Sequence, residues 1–86
     1  MNEEELTLKI LETFPNVTFK VDTKRGNLRI HFKTESHNFI PSKWMLCNVL
    51  GLPEKKVRVS VKKYNDGVFP NKAPGKLFTI IGGEYL

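Results

Sequence analysis

Lys20, Arg29, His31, Lys33, Arg58, Lys62 and Tyr64 recur at alternate positions within segments rich in valine, isoleucine and phenylalanine. Alternate side chains of an extended chain share a face, so this spacing gathers cations and two flat rings onto one surface. Thr18, Asp22 and Ser60 fall on the same face, where the five cations meet a single carboxylate. Lysine and arginine neutralise phosphates, and exposed rings such as His31 and Tyr64 offer platforms for unstacked bases. The pattern predicts a non-catalytic module that binds nucleic acid, RNA or single-stranded DNA, through a basic sheet face. The same residue types also meet the ordinary need of a sheet face to be wetted, and spacing alone does not separate the two readings.

A turn-rich stretch from Tyr64 to Gly75 adds Lys72, with Lys76 just beyond it, as further nucleic-acid-binding candidates. Phe69 within it would either close over a ligand or anchor the stretch to the core. A protein-interaction module, or a small inhibitor gripping an acidic protein, is the alternative, through the basic face or through an edge strand added to the partner. Trp44, flanked by Met45 and Leu46, is expected in the core rather than at a partner interface. A homodimer is a further reading, because a four-stranded sheet leaves edges that a symmetric partner could cover.

Catalysis finds no foothold. His31, His37 and Cys47 are scattered without the short spacings that metal ligation uses, so no metal site and no cofactor are expected. Cys47 sits at an apolar helical position, where a thiol serves as inert packing. Glu3, Glu4 and Glu5 cluster where a helix start explains them, and no nucleophile elbow, phosphate loop or dinucleotide fingerprint occurs. The chain is therefore read as not an enzyme.

The scaffold that must position the basic residues is small. Eighty-six residues fit one domain and one core, residues 1–86. A single cysteine gives no disulfide staple and suits a reducing compartment, and no apolar run approaches a membrane span, so a cytoplasmic location is expected. The net charge of +5 is uneven: residues 1–16 carry −3, leaving +8 for residues 17–86. The second segment is where a polyanion would be drawn.

Six elements of regular structure follow from periodicity. Asn2 before three glutamates caps a helix over Glu3 to Phe14, with Leu6, Ile10 and Phe14 at its apolar stripe, flanked by Leu8 and Leu11, and Pro15 as its stop. Val17, Phe19 and Val21, then Leu28, Ile30 and Phe32, form a hairpin about Arg25-Gly26, which pairs Phe19 with Phe32 and Val21 with Ile30 on one face. On the other face it pairs Lys20 with His31 and Asp22 with Arg29. Pro41 in a first turn and Gly51 at the end bracket a second helix, and Val57 to Val61 and Leu77 to Ile81 supply two more strands. The resulting αββαββ order predicts an α+β fold: a four-stranded antiparallel sheet with both helices on one face, as a circularly permuted relative of the ferredoxin-like split βαβ plan would have.

Overall fold

A computed structural model describes residues 1–33, 40–63 and 74–81. In chain order they form α1 (Glu3–Thr13), β1 (Phe19–Lys24), β2 (Asn27–Lys33), α2 (Lys43–Leu50), a short 3-10 turn (Glu54–Lys56), β3 (Val57–Lys63) and β4 (Pro74–Ile80). The α+β class and the antiparallel four-stranded sheet are as the alternation predicts.

Local chemistry sets each boundary. The Asn2 side-chain oxygen accepts a hydrogen bond from the Glu5 amide at 2.8 Å, and three carboxylates sit at the positive end of the α1 dipole. α1 stops one residue short of expectation: Phe14 leaves helical geometry because Pro15 crowds the residue before it. At α2 the cap is Ser42, whose hydroxyl accepts from the Met45 amide, so Pro41 lies outside the helix and is buried rather than in its first turn. Gly51 ends α2 in the left-handed region at φ 68°, and the Leu52 amide donates back to the Cys47 carbonyl, a Schellman closure that buries Leu52.

The β1–β2 hairpin has the expected register, Phe19 opposite Phe32 through Asp22 opposite Arg29. Arg25 and Gly26 both take positive φ, 53° and 80°, the type I′ geometry whose twist suits a two-residue turn. β4 begins at Pro74 rather than Leu77 and inserts between β2 and β3, giving the order β1-β2-β4-β3. The central pair, β2 with β4, joins the first and second halves of the described chain, with Leu28 opposite Ile80 and Phe32 opposite Lys76.

One face of the sheet carries the core. Leu28, Ile30 and Phe32 from β2, Val57 from β3 and Phe78 and Ile80 from β4 pack with Leu6, Ile10 and Phe14 of α1 and Leu46, Cys47 and Leu50 of α2. Phe32 meets Phe78 edge to face at 5.3 Å between ring centres, the preferred arrangement of two ring quadrupoles. Coverage by the helices is partial. Leu8 and Leu11, expected to lie against the sheet, are exposed on the flank of α1, and Trp44, expected in the core, is 66% exposed on α2. The helical period explains Trp44: Leu46, Cys47 and Leu50 take the buried stripe, which turns residue 44 outward.

Candidate nucleic-acid interface

Cross-strand register lays out the face away from the helices as rows. One row runs Lys20, His31, Leu77, Ser60 across β1, β2, β4 and β3; the next runs Asp22, Arg29, Thr79, Arg58. A third places Lys33 beside Gly75 and Lys62, with the Lys33 amide held to the Thr18 carbonyl at 3.0 Å. The sheet thus brings Lys20, Arg29, His31, Lys33, Arg58 and the backbone position of Lys62 to one face. Lys76 is not among them: it stands opposite Phe32 and Val61, on the side of the sheet that the helices occupy. Tyr64 and Lys72, like His37 and Phe69, lie outside the described residues.

The second row contains a fixed ion pair. Arg29 grips Asp22 through two parallel hydrogen bonds, Nε to Oδ1 and Nη2 to Oδ2, both 2.7 Å. Nε2 of His31 lies 3.1 Å from the same Oδ2; an ionised carboxylate only accepts, so this nitrogen carries the hydrogen. Burial pushes the Asp22 carboxyl up, but the Arg29 hydrogen bonds together with His31 outweigh it and hold the group below its usual range. Asp22 therefore stays ionised and keeps the guanidinium engaged, with its plane set by the fork rather than by solvent.

His31 differs most from its sequence reading. It was expected to offer an open ring; it is 2% exposed, and its neighbour Leu77 is 4% exposed, so the middle of this face is closed while its flanks are open. Lys20 on β1 and Arg58 on β3 are exposed, and Lys33 is partly so. The cations thus stand around a buried centre. Alternation on β2 could not reveal this, because a strand pattern reports which side a residue faces and not what covers that side.

Cys47 is in the core on the opposite side of the sheet from His31, so the sheet holds the two apart. Burial, and then the Glu54 charge against the opposing Lys43, push its thiol pKa up. A shallow recess between the start of α1 and the hairpin is lined by Asn2, Glu3, Glu4, Thr23 and Leu28. Its carboxylates, one of which accepts from the Thr23 hydroxyl at 2.6 Å, make it unsuited to an anion. No helix of the described residues is long and apolar enough to cross a membrane. Comparison with family models, curated proteins and solved structures found no match.

Proposed function

We propose that the protein is a non-catalytic nucleic-acid-binding module that holds the phosphates of RNA or single-stranded DNA on the sheet face away from the helices. The observation that carries this reading is the pair of exposed cations, Lys20 and Arg58, on the two outermost strands of a face whose carboxylate is already satisfied by Arg29. Their strands stand three spacings apart, about 14 Å across the sheet, with Arg58 one row along from Lys20, wide enough for a polyanion to engage both flanks along with Lys33. Asp22 contributes little repulsion while it is paired. With His31 buried, that ring offers no stacking platform and affinity comes mainly from phosphates, so sequence preference is weak and salt dependence is steep.

Fluorescence anisotropy with labelled single-stranded RNA, single-stranded DNA and duplex DNA tests this. Three or four phosphate contacts predict a drop in affinity of about 20- to 50-fold between 50 and 200 mM salt. Lys20→Glu and Arg58→Glu should each weaken binding for every sequence. Affinity indifferent to salt, or unchanged in the doubly reversed variant, refutes the proposal. The buried, unpaired thiol of Cys47 suits the cytoplasm as the place of action.

A second reading, an acidic protein partner, has an observation of its own. Val59 and Val61 stand 39% and 71% exposed on β3, which a polyanion does not require and a protein surface would cover.

A further inference from the structure

Exposure on the helix side of β3 rises steadily along the strand: Val57 is 1% exposed, Val59 39% and Val61 71%. The helices shelter the first valine and leave the other two open. Among the described residues β3 pairs only with β4, so its other edge borders no strand. The direction of its backbone groups follows from the ladder. The Ile81 amide donates to the Lys56 carbonyl at 2.8 Å, which makes 56 and 81 a hydrogen-bonded pair of the antiparallel register. Bonded and non-bonded pairs alternate, so Arg58 with Thr79 and Ser60 with Leu77 carry the next bonds to β4. The amides and carbonyls of Val59 and Val61 then point to the outer edge, together with the carbonyl of Val57, whose amide is taken by the Glu54 carbonyl in the 3-10 turn.

Charge narrows what such an edge accepts. Residues 54–63 contain Lys55, Lys56, Arg58, Lys62 and Lys63 against Glu54 alone. A second copy of the chain pairing about a two-fold axis at Ser60 would set Arg58 against the other copy's Lys62; an axis at Val59 would set Lys56 against it. Like charges directly opposite one another destabilise a strand pair. Lysines also guard edges against such self-pairing, a role that predicts no ligand at all.

From the outward backbone groups, the two exposed valines and this charge we infer that the outer edge of β3 receives an extended acidic segment of a protein partner as a fifth strand. Its residues alternate. Apolar side chains lie beside Val59 and Val61 on the helix side, and aspartate or glutamate lies beside Arg58, Ser60 and position 62 on the other. Main-chain hydrogen bonds give the affinity, and the alternation gives the selectivity. The inference does not rest on the nucleic-acid proposal, although Arg58 serves both.

The probe is a short end-blocked peptide of alternating Glu and Val, titrated into the intact chain and followed by amide chemical shifts and anisotropy. Two control peptides accompany it: one with the same composition but its glutamates and valines in separate blocks, and one N-methylated at every second residue. The alternating peptide should bind with shifts concentrated at Val57 to Val61, and both controls should bind at least about tenfold more weakly. Val61→Pro deletes an outward amide and spares the bonds to β4, a placement proline tolerates on an edge strand. It should weaken the peptide by about tenfold or more and leave oligonucleotide affinity unchanged. Should that variant not fold, Arg58→Glu at an exposed position should weaken the peptide about fivefold, the worth of one cross-strand charge pair.

No peptide binding up to about 1 mM overturns the inference and leaves the lysines as guards of the edge. Equal binding of the block-order peptide, or of Val61→Pro, overturns it in favour of plain charge attraction. An oligonucleotide whose shifts centre on the Val61 amide rather than on Lys20 and Arg58 overturns it by assigning the edge to nucleic acid. Failure of wild-type protein to bind oligonucleotide sinks only the earlier proposal.

Discussion

At the scale of single residues, Asp22 organises the sheet face. It accepts both arms of the Arg29 fork and the Nε2 hydrogen of His31, and half of its work is to hold a cation that would otherwise be mobile. Asp22→Asn should destabilise the fold by about 1–2 kcal/mol, the low end for hydrogen bonds to a charged group since the carboxylate is partly solvated, measured as a lower urea midpoint. The folded state depresses this carboxyl's pKa, so its contribution is fully present above the unfolded value near 3.8 and disappears as pH falls through the lower folded value. The gap in stability between wild type and Asp22→Asn should therefore be flat through neutral pH and close only below about pH 4. A stability gap that closes between pH 6 and 8 instead would mean that Asp22 is not the titrating group. Cys47, buried with its thiol pKa pushed up, should react with a disulfide reagent far more slowly in the native protein than in urea, and a rate alike in both would contradict its place in the core.

At the scale of elements, the hairpin turn, the Asn2 cap and the Gly51 stop are where sequence reading worked and where substitutions are informative. The hairpin register was legible because two alternating segments are joined by two residues, and a slip of one would turn Phe19, Val21, Ile30 and Phe32 to the wrong side. The start of β4 was not legible. Lys76 takes a helix-side position between Phe32 and Val61, and Leu77 faces away from the core, so the pattern there reads against the strand's true facing. Trp44 was misplaced because a large apolar residue in a short helix reads as core, whereas only one stripe of an eight-residue helix reaches the sheet. Of the candidate site, the face shared by Lys20, Arg29, His31, Lys33 and Arg58 could be read from alternation; the closing of its centre over His31 could not. Arg25 occupies a left-handed position that arginine enters only at a cost, so Arg25→Asn should stabilise the protein by about 0.5–1 kcal/mol in thermal or urea unfolding. Gly51→Ala should do the reverse by about 1 kcal/mol; its Cβ would meet open space, so the loss would be conformational and not steric.

Across the whole molecule, the negative start of α1 and the positive β3 segment give the protein a charge gradient; for the polyanion proposed above, ionic strength should act on association rate more than on dissociation. The order of strands carries a consequence of another kind. β4, the last strand in chain order, is the sheet's inner seam: it closes on β2 and on β3 together. Before it arrives, the α1–hairpin portion and the α2–β3 portion have no hydrogen-bonded strand in common, and a lone hairpin is marginal in water. A chain cut before Pro74 should show no cooperative urea transition by circular dichroism, and persistence of one would mean the first portion folds by itself. A growing polypeptide should then stay open to proteases until residues 74–80 are available. Assembly of the described sheet is then a single event at the β4 seam, and its rate should follow closure of the long chain separation between β2 and β4 rather than formation of α1.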